Sequence, residues 1–189
     1  MKIMLISPEI SSHFLVTFVY FLLVSVLRWQ FDWGLIGLWL GAILGTFFLD
    51  IDHLVYWFVT KPFQPDSIQA KEIWKTKGFK GLKELKTLLE QFHATHTRLV
   101  FHSVIGQAVL LLLGFYLITS GGSIFGAGFI LSLNLYLLKD EWQDYLANKK
   151  DHLSDWLFWQ VRGINPAKNL SAYLLIVSIL FLGLTLFFA

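Results

Sequence analysis

Two carboxylates and an imidazole, Asp50, Asp52 and His53, stand near the inner end of an apolar run, in a stretch that reads GTFFLDIDH from Gly45 to His53. An unpaired charge in hydrocarbon costs about 3 kcal/mol or more, so these groups must face something polar. Asp50 and His53 are three residues apart and share a helix face, whereas Asp52 points about 200° around from Asp50 on a regular helix. Either the helix unwinds here or one carboxylate has another job, such as holding a ligand histidine. His102 and Asp140 stand at the ends of two further apolar runs. Carboxylate and imidazole together suit zinc, manganese or iron, and zinc with an open position lowers the pKa of its water to about 7. A buried group of acids needs a compensating cation, and a metal supplies one.

The same residues have a structural reading. Asp50, Asp52 and His53 could cap a helix at the membrane interface, and Asp140, Glu141 and Asp144 could form a solvated flank facing Lys139 and Lys149. His93 reads as a surface residue, and His96 as either surface or site. His13 and His152 read as interfacial. Arg98, one turn before His102, either neutralises a phosphate or marks the headgroup boundary. Ser103 lacks a Ser-His-Asp context and reads as a packing residue or a supporting donor. Gln107 and Asn134 are expected to hydrogen-bond between helices.

The elements that must position these groups are apolar helices. The chain has 189 residues, 56% of them hydrophobic and 17% aromatic, which indicates an integral membrane protein. It has no cysteine, so disulfides and thiolate ligands are excluded. After a short head with Lys2 and the turn at 7–9, apolar residues run over about 10–28, and no small-x-small cleavage site follows them. A second run, 34–60, ends at Lys61–Pro62. Runs over 99–119, 124–138 and 170–188 follow, the last without any charge and expected to be a plain anchor. Ser120–Gly121–Gly122–Ser123 is a tight turn that returns the fourth span beside the third.

Five spans place the N-terminus and the polar regions 61–98 and 139–169 on one face. Region 61–98 holds eight Lys/Arg against four Asp/Glu. With Lys2 and region 139–169, that face collects all the basic residues except Arg28, so the positive-inside rule puts it in the cytoplasm. Within 61–98, Phe79, Leu82, Leu85, Leu89 and Phe92 recur at helical spacing, with lysines elsewhere on the wheel. That pattern predicts a basic amphipathic helix on an anionic membrane surface; nucleic acid is not an expected partner. The topology brings Asp50, Asp52 and His53, His102, and Asp140 to a similar depth from three separate spans. No nucleotide-binding glycine loop, nucleophile elbow or HExxH helix is present.

The stretches LDIDH at 49–53, RLVFHS at 98–103 and LYLLKD at 135–140 resemble, in order and on consecutive spans, the motifs of the LexA-regulated, membrane-bound metal-dependent hydrolase family. That family's motifs are of the PDIDH, HRxxTHS and HLLLD types, and its His/Asp pattern is likened to zinc phospholipase C. The resemblance covers about 34–145. The chain departs from it at Leu49, in place of proline, and at Thr97 and Tyr136, each in place of a histidine. His96, one residue early, could replace the first.

The resemblance implies an all-α, five-span protein of the plasma (inner) membrane with a site facing the cytoplasm. It implies that Asp50, His53, His102 and Asp140 hold one divalent metal, zinc first and manganese or iron after it. Asp52 would orient a ligand or act as base, and Arg98 would receive an anionic group. The substrate would be a phospholipid or another phosphoester. The alternative is a noncatalytic multispan protein whose polar cluster fixes helix packing and whose basic helix binds anionic lipid or a partner. A transporter or channel ranks last, because the outer halves of the spans carry almost no polar lining.

Overall fold

The computed structural model describes residues 8–92, 95–163 and 166–189. Lys2, Ser7 and His93 lie outside them. Among the described residues every regular element is helical: α1 (Pro8–Arg28), α2 (Trp33–Phe48), α3 (Ile51–Val55), α4 (Pro65–Lys77), α5 (Leu82–Phe92), α6 (Val104–Thr119), α7 (Ile124–Leu146), α8 (Lys150–Phe158) and α9 (Pro166–Phe188). Among the described residues three stretches are long and apolar enough to cross a membrane, namely Ser11–Arg28, Trp33–Thr60 and Lys168–Phe188. The apolar helix Val104–Thr119 is shorter. These helices leave many large apolar side chains exposed, among them Leu15, Leu23, Ile36, Leu112 and Leu180. An outward-facing apolar surface of this extent suits lipid.

The helices begin where side chains can take up their first N–H groups. Asp32 accepts from Gly34 N, Ser103 from Gly106 N and Ser123 from Gly126 N. Pro65 opens α4, where its missing N–H costs nothing, and Gly78 ends it at a positive φ of 51°.

The core of the molecule is the α2–α7 pair. A Cβ added at Gly41 would sit 2.1 Å from the Phe125 carbonyl oxygen, and one at Gly128 only 2.3 Å from that of Leu38. Backbones this close need small residues along the seam, the usual device where lipid offers helices no hydrophobic driving force. Further along, Thr46 Oγ1 meets Ser132 Oγ at 3.0 Å, and Tyr136 donates to Asp50 Oδ1 at 3.0 Å. Partner numbers rise together, so α2 and α7 run parallel. The seam thereby carries Asp52 and His53 to the same end of the bundle as Asp140. α1 runs against both, with Thr46 donating to Thr17 and Trp39 to Ser25.

Several expectations change. The second span is not one regular helix: it turns at Leu49–Asp50, and a wide π turn, Tyr56–Thr60, follows α3. The described residues of region 61–98 form two α-helices joined by a short 3-10 turn, and α5 does not lay its whole apolar face on a membrane. Leu85 and Leu88 pack against Tyr56, Trp57, Ala70 and Leu99, whereas Phe79 and Leu82 stay exposed. The apolar helix expected from Leu99 starts at Val104, because Ser103 is its cap. Helix α9 is more than an anchor: Tyr173 donates to Gln107 Oε1, Trp142 to Ser178 Oγ, and Tyr20 pairs with Thr185. Asn134 bonds back to the Ile130 carbonyl of its own helix instead of crossing to another.

Candidate functional site

A cavity of about 260 Å³ opens at the end of the bundle where α3, the 95–103 segment, α7 and α8 meet. Its walls carry His53, His96, His102, Asp140, Asp144 and His152, together with Glu90, Leu99, Gln143, Lys149 and Trp156. His53, His102 and Asp140, which the sequence placed at one depth from three spans, thus share one space. Asp50 does not line it. Its carboxylate turns to the Tyr136 hydroxyl instead.

Asp52 is fully buried. Its carboxylate accepts the backbone N–H groups of Val100, at 2.9 Å, and of Phe101 and His102, at 2.6 and 3.0 Å. The same carboxylate meets His102 Nδ1 at 3.1 Å. One side chain therefore holds the extended segment before α6 against α3 and orients the His102 ring. The network assigns the proton to Nδ1, which leaves His102 Nε2 with a lone pair. Asp52 is a positioning residue in this geometry.

A second chain of contacts orients His53. Asp66, near the start of α4, accepts from Trp57 Nε1 at 2.7 Å and from His96 Nε2 at 2.8 Å. His96 Nδ1 lies 2.8 Å from His53 Nδ1. With the Asp66 carboxylate fixing the His96 proton at Nε2, His53 donates from Nδ1 and its own Nε2 carries the lone pair. The His53 and His102 ring centroids are 6.0 Å apart. On the opposite wall His152 Nδ1 pairs with Asp144 Oδ2 at 3.0 Å, and Trp156 Nε1 reaches the same oxygen at 3.4 Å.

Asp140 is held from behind. His13 of α1 is buried, stacks on Tyr136 with centroids 3.6 Å apart, and places Nε2 3.1 Å from Asp140 Oδ1; Lys139 Nζ lies 3.3 Å from the same oxygen. Burial alone would raise the Asp140 pKa, but the hydrogen bond and charge of His13, with Lys139 and His102, outweigh it and hold the carboxyl below its usual range. Glu141, the next residue, goes the other way. It was read as part of a solvated flank, yet it is fully buried under α6, with Gln107 Nε2 at 3.3 Å and the Tyr173 side chain beside it. Burial pushes its carboxyl up to about 8, with the Asp140 charge adding to the rise. Two adjacent carboxyls are driven apart, one anionic and one neutral near pH 7.

Imidazole and carboxylate donors suit a divalent metal in kind, and carboxylates behind the His102 and His152 rings are the usual partners of ligating imidazoles. The spacing is not drawn in: among the described residues no three His, Asp or Glu side chains stand together as a metal-holding group. Arg98 does not reach the cavity. It lines a separate cleft with Thr97, Ser154, Asp155, Phe158, Trp159 and Val161.

Sequence reading missed Asp66, Asp144, His152 and His13 as members of this neighbourhood. His13 carried a signal, as a lone imidazole within an apolar run. Asp66 carries no such signal, since an acid in the first turn of a helix is commonplace. No family model, curated protein or solved structure matches the chain.

Proposed function

We propose that the chain is a five-span hydrolase of the inner membrane, with its N-terminus in the cytoplasm and its histidine cavity acting on a phosphoester, a phospholipid headgroup first among them. The observation that carries this reading is the meeting of His53, His102 and Asp140, from three separate segments, in one small cavity whose imidazoles are oriented by hydrogen bonds. The helix directions support five crossings, although α6 is short and the apolar part of α7 covers only 124–138. The motif resemblance supports the reaction class.

His53, His102 and Asp140 would hold a divalent metal, zinc first and manganese or iron after it. Such an ion, when bound, supplies a water of lowered pKa and polarises a phosphoryl oxygen. The protein's own groups do the rest. Asp52 keeps the His102 proton on Nδ1 and its lone pair toward the cavity. Asp66, through His96, does the same for His53. Asp140 stays anionic, and the Asp144–His152 pair stands on the opposite wall, where it can pass a proton to a departing alkoxide. The test is hydrolysis of phospholipids and small phosphoesters by purified protein. His102→Ala and His53→Ala should each lower turnover at least about a hundredfold, as for removal of a general acid–base group. Turnover equal to wild type in both would remove the reading.

One observation favours the noncatalytic alternative. Asp50 is committed to Tyr136, and Asp140 to His13 and Lys139, so two of the four expected ligands already serve helix packing.

A further inference from the structure

Among the described residues the chain makes a π turn once, at Tyr56–Thr60, directly behind the histidine cavity. Lys61 N closes it by donating to the Tyr56 carbonyl at 2.9 Å, five residues back, where an α-helix would reach back four. The turn therefore holds one residue more than a regular one. Such turns are rare and concentrate at functional sites.

What the extra residue gains here is carried by side chains. The Tyr56 ring stacks on His96, with centroids 4.0 Å apart and planes 21° from parallel, and the Trp57 indole meets the same imidazole edge-on at 5.9 Å. A buried indole N–H needs an acceptor, and Trp57 Nε1 donates to Asp66 Oδ2 at 2.7 Å. That oxygen also accepts from His96 Nε2, at 2.8 Å. Two consecutive residues thus hold one imidazole on two sides, together with the carboxylate that fixes its proton. The chain must bring Asp66 back to Trp57 within nine residues. Removing one residue from the turn would rotate Lys61 and all that follows by about 100° about the helix axis, carrying Asp66 away from Trp57.

We infer that the π turn is a positioning device for the cavity, in which Tyr56 and Trp57 hold the His96 ring and the Asp66 carboxylate so that His96 presents Nδ1 to His53. Neither ring is among the cavity's walls; both act through His96, whose Nδ1 lies 2.8 Å from His53 Nδ1. The inference deepens the hydrolase reading and rests on it for the effect on turnover alone, since the ring orientations exist without a substrate.

Nitrogen-15 NMR of the imidazoles in the detergent-purified chain, at a fixed pH of about 8 and without added metal or substrate, tests it by reading which ring nitrogens carry protons. Wild type should show His96 protonated at Nε2 and His53 at Nδ1, each as a single tautomer. Trp57→Phe keeps an aromatic ring and removes the N–H. Deletion of Val59, which is 70% exposed, closes the turn to a regular one. Each should turn the single tautomers of His96 and His53 into mixtures, and should lower kcat about tenfold or more at unchanged KM. Phe21→Ala is the control, because it opens a cavity in the separate core cluster around α1: it should lower the melting point and keep both tautomers. Single tautomers retained in Trp57→Phe and in the deletion, or lost equally in Phe21→Ala, would overturn the inference. Absence of turnover in wild type with the expected tautomer pattern would remove the hydrolase reading and leave the positioning role standing.

Discussion

Along the α2–α7 pair, a glycine seam and a histidine cavity lie end to end, and they hold the chain by different means. At the seam, backbones touch, small residues leave no room, and shape alone fixes the register. At the cavity end polar groups pair across segments: Asp50 with Tyr136, Asp52 with the 100–102 backbone, Asp140 with His13. At Gly41, Gly45 and Gly128 the seam has no room for an added carbon. The cavity tolerates charge because nearly every charged group has a named partner, and in hydrocarbon or beside it that is the only way such groups persist. Rigid packing therefore sets where the histidines arrive, and hydrogen bonds set how their rings face.

The largest effect should come from filling the seam. Gly41→Val puts side-chain atoms against the Phe125 carbonyl, and overpacking of this kind should cost about 3 kcal/mol or more, read as a lower melting point in detergent. Gly183→Ala is the control: a Cβ there meets nothing within 4 Å, and stability should change by less than about 0.5 kcal/mol. Equal melting points for the two variants would break the picture of a close seam.

Asp52→Ala comes next. It leaves three backbone N–H groups and the His102 ring without their acceptor, at a cost of about 3 kcal/mol, and should raise hydrogen exchange at residues 100–102 before it affects the seam. Uniform loosening of the whole bundle would mean that the two regions are not separable.

Glu141 sharpens the comparison through pH. Its folded pKa is raised to about 8 from 4.5, so the folded state holds a proton that the unfolded state has released across that interval. The stability it contributes is full below pH 4.5 and falls as pH rises through about 8. Glu141→Gln should flatten that fall in melting point against pH, and an unaltered slope would count against a neutral buried carboxyl. The smallest effect belongs to Tyr136→Phe, which removes one hydrogen bond to the half-buried Asp50 and should cost about 1 kcal/mol in thermal stability.

Much of this arrangement was legible in the amino-acid order. The apolar runs locate the helices, and the positions of His53, His102 and Asp140 at the ends of three runs brought them together. What stayed hidden depends on tertiary partners. Asp52 takes three N–H groups some fifty residues away and so holds residues 100–102 ahead of α6, which no local pattern encodes. The basic periodicity of α5 looks the same whether its leucines meet lipid or protein. Only Trp57 and Tyr56, arriving from the end of the second span, decide that Leu85 and Leu88 turn inward. Glu141 follows Lys139 and Asp140 in sequence, so nothing local marks it as buried beneath α6.

The most direct measurement is metal content by elemental mass spectrometry on detergent-purified protein, comparing wild type with His102→Ala and Asp140→Ala. About one zinc, manganese or iron per chain in wild type, lost in both variants while Gly183→Ala retains it, is the predicted result. No metal in the wild type after reconstitution with each ion, or metal unchanged by both substitutions, would contradict the account and leave the cavity as a device for packing helices.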